Sequence, residues 1–373
     1  MATSPESAPA FSTLPTARLP LIDALKALAS QLVLLHHFSA YGPLSQAFEG
    51  FAPQLQAWLY DYGRIAVQVF LVVAGFLAAR SLAPGSRPVA FNPLQVITKR
   101  YLRLAPPFAA ALVLAVACSA LARLWLDDDA IPASPTLLQF LAHSFLVQGI
   151  LEFDALSAGV WYVAIDFQLF VLFALVLWSG RKFGSAKLNL APFLVALLAL
   201  ASLLYFNRLA SWDDWGIYFF GSYALGAVSY WASDRCRPAF LLGVLWAVGI
   251  FALALDFRLR IAVALTVALV LGASRRLGLF HRWPDFRLME YLGRISFSVF
   301  LVHFPIYLLM NAFYERFGND SQTLALSAMV AAWSCSIFAG QIFHHCVESR
   351  PTSFWAALVF QARATLAVRL GFR

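Results

Sequence analysis

Lys26 and His37 stand eleven residues apart in the segment LIDALKALASQLVLLHHF. At roughly 100° per residue, eleven helical steps return to within about 20° of the starting direction. Ser30 lies about 20° from His37 on that face and Asp23 about 40° away. If helical, the segment is an apolar rod with a polar stripe rising about 16 Å from the Lys26 ammonium to the His37 imidazole. An imidazole in such a place can take and return a proton near neutral pH, the work of a general base. The bland alternative is a ring hydrogen-bonded near a membrane interface, where its amphipathic character is comfortable. His36 projects about 100° away and is the weaker candidate.

Other polar residues occur where apolar surroundings make them costly. In VWYVAIDFQLF, residues 160–170, Asp166 is a carboxylate inside an apolar run. An ionisable residue at the centre of a membrane span costs about 2.5 to 3.5 kcal/mol and usually serves a purpose. Asp166 and His37 have compatible depths, so the carboxylate is expected to orient the imidazole and support its basicity; a helix-bundling hydrogen bond is the alternative. Tyr162 and Gln168 of this run, with Ser30 and His303, are expected to complete the polar lining of a pocket. His303 shares a face with Ser296, and Pro305 beside it withdraws a backbone donor; a structural hydrogen bond and a catalytic role both fit. His344, His345 and Cys346 imitate a metal cluster only superficially, because adjacent histidines project about 100° apart. Arg100 and Arg103 are neighbours on a helix face. They could hold the phosphates of a cytoplasmic donor or anchor anionic lipid head groups.

The elements that must position these groups follow from composition. Of 373 residues, 61% are hydrophobic and only 12% charged, against about 45 to 50% and about 25% in soluble domains. The chain has too little polar surface for a water-soluble globule. Its apolar stretches run near twenty residues without the alternating polarity of a barrel strand, so the spans are helices. Ten are expected, at 20–40, 64–83, 104–122, 159–179, 190–207, 214–232, 239–255, 258–273, 290–312 and 323–347. Residues 1–19 read as a flexible tail, with no signal peptide before the first span, and 351–373 as a short second tail. Between them lies one membrane domain, 20–350. The loop at about 123–158 contains an apolar stretch, 137–150, too short to cross, which reads as an interfacial or re-entrant helix. Four cysteines without CxxC spacing suggest neither a disulfide framework nor structural zinc.

The net charge of +8 has its explanation in topology. Twenty of the 27 Lys and Arg fall in one alternating set of loops and flanks and six in the other, which holds Asp127, Asp128, Asp129, Glu152, Asp154, Asp213 and Asp214. By the positive-inside rule both termini face the cytoplasm. Nucleic-acid binding is not needed to account for the charge.

Taken in order, these segments resemble the membrane-bound acyltransferase 3 family, the O-acyltransferases of lipopolysaccharide, peptidoglycan and exopolysaccharides. The resemblance rests on Lys26 and His37; on AVQVFLVVAGFL, residues 66–77; on Arg100 and Arg103 as an RxxR motif; on Trp161 to Phe170; on GRISFSVFLVHFP, residues 293–305; and on Glu348, Ser349, Arg350 and Pro351. Gln68 and Ala74 depart from the family's Asp and Ser, and Asp166 stands where Glu is usual. The resemblance implies an all-α, multi-pass protein of the cell membrane that takes acetyl-CoA or another acyl-CoA as co-substrate, with no permanently bound cofactor. Its partners would be a glycan or lipid-linked saccharide acceptor and membrane lipids. Lys26, Arg100 and Arg103 would meet the donor's phosphates, and His37 with Asp166 would carry the chemistry. The competing reading is a secondary transporter or exporter, which also keeps carboxylates and histidines near the midplane, although no repeated halves with interrupted helices are visible.

Overall fold

A computed structural model describes residues 18–185, 188–318, 321–351 and 353–355. Most of both expected tails, and Lys187, lie outside the described residues. Each of the ten expected spans coincides with a helix, and three further helices occupy the connections. In chain order they are α1 Pro20–Ala40, α2 Gly42–Phe51, α3 Pro53–Tyr62, α4 Val67–Leu82, α5 Pro93–Ala122, α6 Leu137–Ser144, α7 Val160–Lys182, α8 Ala191–Leu204, α9 Gly216–Ala232, α10 Phe240–Leu255, α11 Leu259–Leu277, α12 Arg287–Phe317 and α13 Gln322–Phe343. Among the described residues there is no strand.

Among the described residues, seven helical segments are long and apolar enough to cross a bilayer: Pro20–Ala40, Pro53–Leu82, Pro93–Ala122, Val160–Lys182, Ala191–Arg208, Arg287–Phe317 and Gln322–Glu348. The other three expected spans fall short for different reasons. α9 and α10 have 17 and 16 residues, under the roughly 20 that a hydrocarbon core of about 30 Å requires. The 19 residues of α11 include Arg260, Arg275 and Arg276. α9 is instead the centre of the bundle. Nearly all of it is buried, and α4 closes against it at two reciprocal glycines. A Cβ on Gly75 would strike the Tyr223 backbone, and one on Gly226 would strike the Val72 carbonyl.

Helix direction alternates, so charge separates to the two ends. At one end Arg237 bonds Ser86 and the Gly85 carbonyl, Arg181 the Pro88 carbonyl, Arg275 the Tyr230 carbonyl, and Arg276 the carbonyls of Asp234 and Arg237. Guanidiniums at helix C-termini satisfy carbonyls that have no intrahelical partner and complement the helix dipole. At the other end Arg258 and Arg260 bond Asn207, and Asp256 pairs with Arg208.

Two expected boundaries shift. α5 begins eleven residues before the expected span because Asn92 caps it, accepting from Leu94 N and Gln95 N with Pro93 at the first turn, an arrangement in which proline's missing donor costs nothing. The apolar stretch 137–150 is helical only to Ser144. Thr136 and Gln139 form a capping box at its start. At its end Leu146 adopts φ +61°, and Val147 N bonds back to the Ala142 carbonyl, the Schellman closure that normally takes glycine. Leu146 is fully buried, and that burial offsets the left-handed backbone.

Candidate active site

α1 and α12 run parallel and in contact. Their approach is set by Gly293, where a Cβ would collide with the Asp23 backbone. Farther along, the Tyr307 hydroxyl reaches the carbonyls of Phe38 and Tyr41, and Asn311 Oδ1 accepts from Leu44 N. Gly42, at φ +75°, makes the turn from α1 into α2 against the Asn311 side chain. The polar stripe of α1 consequently faces α12 rather than lipid: Ser30 is buried, donating to the Ala27 carbonyl, and His37 is buried above it.

His37 meets His303 of α12. His37 Nδ1 lies 2.7 Å from His303 Nε2, and the rings stack with 18° between their planes. His303 Nδ1 is 3.0 Å from the Val299 carbonyl, one turn back on a helix that continues through Pro305. Among the described residues His37 Nε2 has no hydrogen-bond partner, and the residue keeps 7% of its surface exposed. Tyr41 and Phe304 flank the ring. His36 turns away to the Leu59 carbonyl of α3.

Asp166 has a different partner from the one expected. Its carboxylate accepts from Arg100 Nη2 at 2.5 Å, and the Arg100 guanidinium also lies over the Phe170 ring. A buried carboxylate and a part-buried guanidinium in an apolar bundle are drawn to one another, because a lone buried charge is the costlier state. The aromatic ring of Phe300 links the two pairs, with its centroid 6.1 Å from His303 and 5.3 Å from Tyr162 on Asp166's own helix; Phe70 packs on both. Gly159 (φ +83°) opens α7 against Phe300, where a Cβ would come within 3.1 Å of Cζ.

Of the two arginines expected on one helix face, Arg100 bonds Asp166 and Arg103 is exposed. The Arg100 Nε is buried without a partner. Lys26 lies 3.5 Å from Asp23, which also pairs with Arg18. Gln168 accepts from Gly216 N at 2.7 Å, so its amide caps the first turn of α9. Gln68 accepts from Ser222 of α9.

A third polar cluster has no counterpart among the expected site residues. The last turn of the bundle, His344–Glu348, is π-helical, and there Glu348 Oε2 accepts from Ser298 at 2.5 Å and lies 3.0 Å from His344 Nδ1. Ser298 and Glu348 each lie in a segment that carries the resemblance, residues 293–305 and the closing motif, but their meeting across 50 positions is seen only in the structure. Among the described residues, no group of three or more His, Cys, Asp or Glu is placed to hold a metal ion.

The geometry is thus a buried pair, His37 with His303, and a part-buried one, Arg100 with Asp166, joined by aromatic rings inside a helical bundle. Comparison with known proteins bears on what such an arrangement is for. The family model described as an acyltransferase domain, that of the acyltransferase 3 family, matches residues 19–340, which include both pairs and end before Glu348. No curated protein and no solved structure matches the chain. With that domain covering most of its length and seven helical segments able to cross a bilayer, the chain belongs to the acyltransferase 3 family and is a multi-pass membrane acyltransferase.

Proposed function

We propose that the protein transfers an acyl group, acetyl foremost, from acyl-CoA to a hydroxyl of a cell-surface glycan or lipid-linked saccharide at the cell membrane. The observation that carries the reading is His37: a buried imidazole inside the family-matched segment, oriented by a second imidazole and left with one ring nitrogen free of protein partners. The acceptor hydroxyl gives its proton to His37 as its oxygen attacks the thioester carbonyl. The tetrahedral intermediate then collapses, the C–S bond breaks, and the departing thiolate takes the proton back from the imidazolium. One well-placed base contributes about 10² to 10⁴ in rate.

The donor enters from the basic end, read as cytoplasmic. There the exposed Arg103, with Lys26 and the exposed part of the Arg100 guanidinium side chain, meets its phosphates. The acceptor enters from the opposite end, beneath the loop that holds α6. Asp166 acts at one remove in this scheme, by keeping Arg100 in place.

Membranes carrying the protein, given labelled acetyl-CoA, should pass label to glycan or lipid, and His37→Ala should abolish that transfer at unchanged protein level. Full transfer by His37→Ala refutes the assignment of the base. Vectorial movement of a substrate with no covalent label indicates a transporter instead. Mass spectrometry of envelope glycans and lipids from cells with and without the gene would identify the acceptor.

A further inference from the structure

The hydrogen-bond chain through the two imidazoles has a direction. A carbonyl oxygen only accepts, so the nitrogen of His303 facing Val299, Nδ1, carries a hydrogen. Both rings are buried, and neither has a carboxylate among its hydrogen-bond partners, so the resting pair is neutral, an isolated buried charge being far costlier. A neutral imidazole with its hydrogen on Nδ1 presents a lone pair at Nε2. That lone pair lies 2.7 Å from His37 Nδ1, which must then be the donor. His37 is therefore the Nδ1–H tautomer, and its lone pair sits on Nε2, the nitrogen without a protein partner.

We infer that His303 is the positioning residue that selects the reactive nitrogen of His37. Without it an imidazole is free to exchange tautomers and to rotate, and a hydrogen on Nε2 leaves no base facing the acceptor. When His37 Nε2 takes the acceptor's proton, the new imidazolium still donates from Nδ1 to His303 Nε2. The positive charge is then met by a fixed lone pair, itself polarised through Nδ1–H by the Val299 carbonyl. This is the task a carboxylate performs in the familiar hydrolytic triads, done here by a neutral ring. The arrangement suits a site inside a bilayer, where a second buried charge would add a desolvation penalty. His36 lies outside this chain of contacts, its Nδ1 facing the Leu59 carbonyl of α3.

The inference rests on the proposed role of His37, and the two are tested apart. His303→Leu removes the acceptor and should lower kcat about 10²- to 10⁴-fold, the range of a base left in the wrong tautomer, with KM for acetyl-CoA unchanged because the fully buried His303 has no open surface to offer a donor. His303→Gln, whose amide oxygen can reach the position of the ring's Nε2, should recover at least a tenth of wild-type kcat. Histidine-selective ¹⁵N NMR of the wild-type protein in micelles should show the His37 lone pair on Nε2, assigned by its loss in His37→Gln. A His37 lone pair on Nδ1 overturns the inference, as does a His303→Leu protein with wild-type kcat while His37→Ala is inactive. Activity retained by His37→Ala instead overturns the functional reading beneath it.

Discussion

Replacing Asp166 with Asn keeps the shape and one acceptor oxygen but leaves the Arg100 charge unanswered inside the bundle. The Asp166 side chain is 7% exposed and the Arg100 side chain 27%, with 2.5 Å between the bonded atoms. Charge centres of a pair in contact lie about 4 Å apart, worth about 4 kcal/mol at an effective dielectric of about 20. Breaking a buried pair by removing one partner costs about 3 to 5 kcal/mol. Arg100 keeps some exposure and the amide still accepts, so the low end applies, about 3 kcal/mol or roughly a hundredfold in the folding equilibrium. The assay is reversible unfolding in mixed micelles titrated with SDS, run on wild type, Asp166→Asn, Arg100→Gln and the double variant. The double variant should recover most of the loss, because removing both charges also removes the desolvation cost. If Asp166→Asn is as stable as wild type but inactive, the carboxylate serves the chemistry directly and its pairing with Arg100 is not what keeps it in the bundle. A loss that Arg100→Gln fails to relieve would also refute the argument.

Two further outcomes follow from packing and protonation. His143, fully buried in α6, bonds the Gln139 carbonyl through Nδ1 and accepts from Leu156 N at Nε2. Burial lowers its pKa below the ordinary 6.5, against a smaller opposing effect of the Gln139 carbonyl. The open loop then binds more protons than the closed one just below pH 6.5, so the closed loop is favoured above that value and loses stability as the pH falls. Protection factors across residues 137–160, with the intrinsic pH dependence of amide exchange divided out, should be smaller at about pH 5 than at about pH 7.5, and His143→Gln should flatten that dependence. At the α4–α9 contact, Gly75→Val or Gly226→Val forces two backbones apart, at about 1 to 3 kcal/mol or more each. Thermal unfolding in detergent should shift downward for both, whereas Gly243→Ala, within α10 at a site where a Cβ meets nothing within 4 Å, should leave it unchanged or raise it, Ala being favoured over Gly in a helix by about 0.5 to 1 kcal/mol.

The helices were legible because hydropathy and charge act locally. An apolar stretch near bilayer length has to satisfy its own backbone, and a helix is how one segment does so alone. The same logic marked His37, Asp166 and His303 as polar residues needing a reason, and left Arg100 in a basic connection between spans. It did not say which would meet which. Depth along straight, independent spans suggested Asp166 for His37, yet α5 starts at Pro93 and brings Arg100 into the bundle to claim the carboxylate. Gln168 stood inside a recognisable segment, and only the start of α9 beside it reveals an amide spent on Gly216 N. Gly75, part of the same kind of segment, proves to be a contact surface for the Tyr223 backbone.

Which residue types occur, how they are spaced along each helix, and which face of α1 is polar are properties of the chain alone, since they depend on covalent order and a fixed helical repeat. The meeting of His37 with His303 across 266 positions is different in kind. It depends on two helix axes brought together by Gly293 and latched by Tyr307 and Asn311. No local preference encodes that approach; packing does, because a partner for a buried polar atom is chosen by what the whole bundle can place within hydrogen-bonding distance.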